Sequence, residues 1–435
     1  MKLPFVASLF LAVATLHAET PVASTLKLSA RAEKPGSTYH RNEVVTFVIK
    51  AEDKGKPLAS GEVQWTLTKD GLPLNQTGKA PITNGTAKVQ GRLDEPGFLQ
   101  LRVSYRSNPK AAPITALAGA AIDPTEIKRS TPVPDDFDAF WTAQKDKLAK
   151  VPVNARLTPV TSTSKTLDAF DMQADCVGAP VSGYYVRPVG AKPKSLPIIL
   201  TVHGAGVRGS SLGGAAGWAA KGFIAMDINA HGLPNGKPDA FYKEQDAGPL
   251  KDYRAQGREF RETCYFLGMF LRLVRALDFL TAQPEWDGQH VVVYGSSQGG
   301  FQAIVAAGLD PRVTFFAAGV PAGCDHTGMI ANRIAGWPKL VPNGPDGKPN
   351  AAVLKTAPYF DTMNFAPRAK ATGCVFTVGF IDVTCPPSSV YATYNQLVIP
   401  KQIYNDIPSG HANSPAAIAA MQKAVLDHVV KKQAP

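Results

Sequence analysis

Cysteine is scarce in this chain. The five present in 435 residues, Cys176, Cys264, Cys324, Cys374 and Cys385, show no C-x-x-C spacing and do not pair off evenly. That excludes a disulfide-built scaffold and a cysteine-ligated metal centre, and it allows at most two disulfides. Long apolar runs are also lacking. Beyond the first residues no stretch reaches the roughly 18 apolar residues of a membrane-crossing helix. Runs of like charge are missing too: 46 Lys and Arg stand against 35 Asp and Glu, a net +11, but the basic residues are scattered. The excess therefore reads as solubility or weak attraction to acidic polymers, and no nucleic-acid partner is expected. There is no H-E-x-x-H, no G-x-G-x-x-G after a strand and no P-loop, so neither a metal nor another cofactor is expected.

What the chain does have is a globular composition, 44% hydrophobic and 19% charged, and a length above that of one ordinary domain. Two domains are expected. The start, Met1-Lys2-Leu3-Pro4 followed by an apolar run to Ala14 and small residues up to His17-Ala18, has the form of a secretory signal peptide over residues 1–18. It implies a secreted or periplasmic protein with no membrane span.

Residues 24–123 read as short alternating strands, at about 26–31, 44–51, 62–68, 85–91, 97–105 and 114–122, separated by turns such as Lys69-Asp70-Gly71 and Thr83-Asn84-Gly85. Roughly six or seven strands in that length suit a small all-β, immunoglobulin-like sandwich. Trp65 is expected in its core rather than as a sugar platform. The sequons Asn75-Gln76-Thr77 and Asn84-Gly85-Thr86 read as turn chemistry. Three prolines mark residues 124–134 as a linker. Asp135 or Asp136 can cap the helix that follows, with Phe137, Phe140, Trp141 and Leu148 on one face.

From there to residue 435 the pattern is that of an α/β protein with a mostly parallel sheet flanked by helices. Strands are expected at 181–186, 196–202, 223–228, 290–294, 313–319, 374–380 and 401–404, with helices at 260–283, 298–308 and 415–432. Within this pattern the strand at 290–294 runs directly into Gly295-Ser296-Ser297-Gln298-Gly299 and then into a helix. A weak hydroxyl nucleophile needs a base, and the base needs a carboxylate to orient it. The strand–G-x-S-x-G–helix arrangement supplies the serine, Ser297, and partners are expected in the order acid, then histidine, on later loops. Asp382, at the end of the 374–380 strand, and His411, in the loop before the last helix, meet that order; Asp325 and Asp406 are rival acids. The backbone N–H groups of Ala205, in His203-Gly204-Ala205-Gly206, and of Gln298 are expected to hold an oxyanion. His231 and His326 follow strands and are candidates for touching substrate, whereas His40, His290 and His428 are read as structural.

At these residues the chain resembles the acetyl xylan esterase / cephalosporin-C deacetylase family, carbohydrate esterase family 7, an α/β-hydrolase family. The likeness covers about residues 133–435 and is densest in Gly295–Gly300, in Tyr359-Phe360-Asp361-Thr362-Met363-Asn364-Phe365-Ala366-Pro367-Arg368 and around Asp382 and Cys385-Pro386-Pro387. It implies deacetylation of an acetylated sugar or oligosaccharide by a serine carboxylesterase, with Ser297 as nucleophile, His411 as base and acid, and Asp382 orienting it. Three departures bear on the pocket: Asn229-Ala230-His231 replaces the family's Arg-Gly-Gln, His411-Ala412 its His-Glu pair, and Ala205 the tyrosine after His-Gly. Acyl preference is thereby left open to a longer-chain esterase or a peptidase on the same fold. A polysaccharide-binding protein with a degenerate hydrolase domain is the reading from another class. The added β-domain can obstruct the family's usual oligomeric ring, so no oligomeric state is assigned.

Overall fold

A computed structural model describes residues 25–162 and 164–431. The leader expected over residues 1–18 lies outside them. No helix among the described residues is long and apolar enough to cross a membrane.

The first nine strands are β1 (Leu26–Ala32), β2 (Thr38–Tyr39), β3 (Val45–Asp53), β4 (Lys56–Pro57), β5 (Ser60–Lys69), β6 (Leu72–Thr83), β7 (Thr86–Gly91), β8 (Gly97–Tyr105) and β9 (Ile114–Ile122). Their hydrogen-bonded order is β1-β3-β7-β6-β5-β8-β9-β2, with β4 on β3. Alternation decides which side is buried: Val45, Phe47, Ile49 and Ala51 of β3 point inward and meet Leu67 of β5 and Leu99 and Leu101 of β8 in one apolar cluster. Trp65 packs at its margin, partly buried. The longest strand here, β6, is absent from the sequence expectation because Pro73 and Pro81 argue against a strand. It tolerates them because it pairs along its length with β5 alone and touches β7 at a single pair, Thr83 with Thr86. Asn84 and Gly85, both at positive φ, close that hairpin as a two-residue turn.

The second sheet contains β10 (Arg156–Pro159), β11 (Leu167–Ala174), β12 (Val181–Pro188), β13 (Leu196–Val202), β14 (Ile224–Ile228), β15 (Trp286–Ser296), β16 (Phe315–Gly319), β17 (Gly373–Gly379) and β18 (Lys401–Asp406). Their order is β10-β11-β12-β14-β13-β15-β16-β17-β18. The strands from β14 onward pair in parallel, and β10, β11 and β12 add an antiparallel edge. Helices α1 (Phe137–Ala149), α2 (Leu212–Ala219), α3 (Asp239–Ala247), α4 (Tyr265–Thr281), α5 (Gln298–Leu309), α6 (Ala351–Thr356), α7 (Thr362–Phe365), α8 (Pro387–Tyr394) and α9 (Pro415–Lys431) accompany it. Each face of the sheet has its own core. Ile198, Leu200 and Val202 of β13 join the cluster containing α1, α4 and α5, while Ile199 joins the one containing α2 and α9. A parallel strand buried on both faces is apolar at most positions, which is why these strands were legible as mainly apolar runs. The buried Thr201 and Asp227 bond each other across β13 and β14 at 2.6 Å.

Local differences have local causes. Helix α4 starts at Tyr265 rather than near residue 260, because Gly257 adopts φ 63° and the Thr263 hydroxyl closes on its carbonyl at 2.9 Å. Asp136 occupies the N-cap of α1 without a capping hydrogen bond. Its carboxylate instead accepts from Arg261 Nη1 at 2.6 Å and from the Tyr359 hydroxyl. The stretch 124–134 is bound to the second sheet's layers rather than suspended: Ile127 is buried, Arg129 donates to Gln396 and to the Met363 carbonyl, and Asn395 holds the Ile127 carbonyl.

Candidate active site

Strand β15 ends in a turn that only a crowded backbone can hold. Ser297 has φ 58° and ψ −122°, a region that non-glycine residues rarely enter. Its N–H donates to the Gly319 carbonyl at 2.8 Å, and its own carbonyl accepts from Phe301 and Ala322 N–H at 3.0 Å each. Glycine is required on both sides. A Cβ on Gly299 would lie 2.2 Å from the Val202 carbonyl oxygen, and one on Gly295 would lie 2.5 Å from the Gly299 carbonyl carbon. The turn thus lifts the serine side chain above the C-terminal ends of the parallel strands, at the start of α5.

The later loops bring the other residues to it. Ser297 Oγ lies 2.9 Å from His411 Nε2, and His411 Nδ1 lies 2.8 Å from Asp382 Oδ2. The other carboxylate oxygen, Oδ1, accepts the N–H groups of Thr384 at 2.8 Å and Cys385 at 2.9 Å. Asp382 is almost wholly buried, at 1% exposure. One oxygen is therefore fixed by backbone and the other is left for the imidazole. The rival acids are engaged elsewhere: Asp325 pairs with Arg333 at 2.6 Å, and Asp406 accepts the Ser414 N–H at 2.8 Å.

The expected oxyanion donors lie at the same place. A Cβ built on Gly204 would come within 3.7 Å of Ser297 Cβ, so the Gly204-Ala205-Gly206 loop abuts the serine. Among the described residues neither the Ala205 N–H nor the Gln298 N–H donates to a protein acceptor.

His231 sits behind this loop, 3% exposed. Its Nδ1 is 2.6 Å from the Tyr265 hydroxyl and its Nε2 is 3.2 Å from the Gly206 carbonyl. Burial, with His203 close by, pushes its pKa down to about 3. The Asn229-Ala230-His231 segment is knitted inward as well: Asn229 holds the Arg208 carbonyl, Ala230 N–H donates to His203 Nε2 and Arg272 holds the Ala230 carbonyl. His326 is 4% exposed with its ring 5.8 Å from that of Phe301, and burial lowers its pKa to about 4. Of the two, the structure brings His231 to the rear of the Ala205 loop and places His326 under α5. The remaining histidines hold partners away from the site, His40 on Asp123, His290 on Asp287 and His428 on Thr314.

Two supporting residues were assigned no role from the sequence: Asn413, which lies in no motif, and Asp361, which lies in the family-like stretch 359–368. Asn413 donates to Ser296 Oγ at 3.0 Å and bonds Thr377, fastening the His411 loop beside the serine. Asp361 accepts the N–H groups of Asp325 at 3.0 Å, His326 at 2.5 Å and Met363 at 2.9 Å, and so shapes the loop after β16. Only the nearness of Asn413 to His411 in sequence could have pointed to the first.

Asp382, Cys385 and His411 each place a donor atom within 4.8 Å of the others. The carboxylate and imidazole atoms are already hydrogen-bonded, and burial together with the Asp382 charge pushes the Cys385 thiol well up. Such a donor set suits proton transfer. All five cysteines are buried and unpaired.

A family model for acetyl xylan esterase, AXE1, matches residues 123–423. The chain belongs to that family. It is 33% identical over 353 residues to "Acetyl esterase Axe7A" of Xylanibacter ruminicola, a match covering 78% of this chain and 77% of that one. Among solved structures, an acetyl xylan esterase from Paenibacillus sp. R4 is 29% identical with a TM-score of 0.59, covering 70% of this chain and 98% of that one. Acetyl Xylan Esterase 1 from Thermoanaerobacterium sp. JW/SL YS485, at 22% identity and TM-score 0.59, covers 70% and 97% and speaks for the fold alone. This acetyl xylan esterase family member is a carboxylic ester hydrolase with an α/β-hydrolase-type fold, and a carbohydrate esterase.

Proposed function

We propose that the chain removes acetyl groups from acetylated sugars or xylo-oligosaccharides through a Ser297–His411–Asp382 triad and an acetyl-enzyme. The observation that carries this is the continuous relay of 2.9 Å and 2.8 Å from the Ser297 hydroxyl to the buried Asp382 carboxylate. Ser297 Oγ attacks the acetyl carbonyl carbon while its proton passes to His411 Nε2. Negative charge gathers on the carbonyl oxygen, where the Ala205 and Gln298 N–H groups can receive it. Collapse expels the sugar oxygen, which takes the proton back from His411. Water, deprotonated by His411, then attacks the acetyl-serine, and as acetate leaves, Ser297 Oγ takes that proton back from His411. Asp382 keeps the imidazole in the tautomer that presents Nε2 to the serine.

The substrate class is taken from the family and from the names of its relatives. Residues 24–123 are proposed as an immunoglobulin-like sandwich, supported by the single-pair link between β6 and β7 and by one core shared across the two groups of strands. Residues 124–134 then join it to a catalytic domain over 135–435, and residues 1–18 serve as an export leader.

The test is acetate release from acetylated xylan and turnover of p-nitrophenyl acetate by the protein and by Ser297→Ala. The variant should stay folded and lose several orders of magnitude in kcat. Undiminished turnover in Ser297→Ala ends the reading. Fluorophosphonate labelling of the unmodified protein, lost in Ser297→Ala, separates an active serine from a degenerate binding protein, and butyryl and dipeptidyl substrates separate the acyl classes.

A further inference from the structure

The residues just before and after Asp382 are gripped by strands that lie outside the family match, which begins at residue 123. Gln100 of β8 is buried, and its Nε2 donates to the Phe380 carbonyl at 2.8 Å, across 280 residues of sequence. Phe98, two residues along the same face, leaves the core of its own sheet for that of the catalytic half. Its ring meets Phe380 edge-on at 5.0 Å and Tyr391 of α8 at 5.6 Å. On the neighbouring strand, β9, a Cβ added to Gly119 would fall 2.7 Å from both Cβ and O of Phe380. On the far side of Asp382, a Cβ added to Gly71, in the turn between β5 and β6, would lie 3.4 Å from Ile334 Cδ1 and 3.8 Å from Val383 Cγ1. Asp70, in the same turn and wholly buried, faces Ser388 at the start of α8.

We infer that Gln100 is a positioning residue for the esterase reaction, acting through the Phe380 carbonyl to hold the Ile381–Asp382 turn at the distance His411 requires. The inference rests on the reading of Asp382 as the triad acid. The physical argument is one of leverage. Asp382 lies in a turn rather than a strand, since β17 ends at Gly379. The catalytic half ties that turn through the Ile381 N–H on the Ser409 carbonyl at 3.3 Å and the Trp337 N–H on the Thr384 carbonyl at 2.6 Å, and the Gln100 amide adds the hold on its Phe380 side. Its two oxygens have fixed demands, backbone N–H groups on one and an imidazole on the other, so a shift of the turn is felt directly in the relay. A buried amide donor given to a carbonyl is costly to remove, because that carbonyl stays buried without its partner. Glycine at 119 leaves room for Phe380 to sit against β9, where any side chain would push it toward the site.

The test compares Gln100→Met, which keeps the bulk and removes the donor, and Gly119→Ala with Val63→Ala, which thins the β-strand core away from the junction. All are made in the full chain and confirmed folded by circular dichroism. If Gln100 positions Asp382, kcat on p-nitrophenyl acetate falls on the order of tenfold in Gln100→Met and on the order of a hundredfold in Gly119→Ala, with KM within about twofold. Fluorophosphonate labelling slows in parallel, and Val63→Ala loses thermal stability at unchanged kcat. Should Gly119→Ala not fold, Gln100→Met decides alone. An unchanged kcat in folded Gln100→Met overturns the inference, as does a kcat loss in Val63→Ala matching that of Gln100→Met at equal stability. Asp382→Asn is run alongside. If it keeps full activity, the triad reading has failed; if it is inactive while Gln100→Met is unimpaired, only the positioning role has failed.

Discussion

The Tyr253 hydroxyl donates to Gln298 Oε1 at 2.6 Å and receives the Gly206 N–H at 3.5 Å. One phenol therefore ties the first residue of α5 to the loop that carries Ala205, the two backbone segments proposed to hold the oxyanion. Tyr253 is buried, and desolvation raises its pKa to about 12, so it stays a neutral donor wherever the enzyme works. Replacing it by Phe leaves the ring packing against His231, 4.6 Å between centroids, largely intact and frees the two loops from each other. Tyr253→Phe should lower kcat about tenfold with little change in KM, the mark of an interaction felt in the transition state. A KM rise at constant kcat would place the tyrosine in substrate binding instead.

Three buried histidines set the acid side of stability. Burial lowers His203 to about 4, His231 to about 3 and His326 to about 4. For His231 the neutral state also fits its contacts: Nε2–H can donate to the Gly206 carbonyl while Nδ1 accepts from Tyr265. The unfolded chain takes up these protons near pH 6.5, the folded one only well below it. The histidines' contribution to stability is thus full above pH 6.5 and is lost as the pH falls through 4, with up to about 3 kcal/mol at stake for His326. Urea unfolding between pH 7 and 4 should show a steep decline, and His326→Leu should make it shallower. An equal slope in both proteins would mean that His326 does not stay neutral.

How much of this was legible follows from where the information lies in the chain. The central parallel strands were readable because they are buried on both faces and are therefore mostly apolar. The serine turn was readable because its glycines answer to backbone contacts that admit no side chain. Asp382 and His411 could be placed by order alone, since each follows a strand of that sheet. β6 was hidden by prolines that are harmless on a strand bonded along its length to β5 alone. His326 looks like a pocket residue because it follows a strand, yet the chain turns it under α5, a direction no local pattern encodes. Nor could any spacing foretell that Gln100 meets Phe380, because that contact exists only where the two sheets pack against each other.

Asp70 gives the opposite pH signature. Its carboxylate is wholly buried and neither oxygen closes a hydrogen bond among the described residues, although Ser388 is near enough to pull on it. Burial outweighs that pull and the neighbouring Lys69, whose own ammonium is taken by Glu95, and raises the acid to about 6. An acid with a raised folded pKa stabilises most when protonated. Its contribution is complete below about pH 3.8 and is lost as the pH rises through 6, the loss reaching about 3 kcal/mol above that point. Asp70→Asn keeps the shape without the charge. It should therefore unfold at higher urea than the unmodified protein at pH 8, and the gap should close by pH 4. Since Asp70 faces the first turn of α8, just after the Asp382 loop, the same charge strains the junction that Gln100 holds. A stability gap independent of pH would show that Asp70 is not the titrating group.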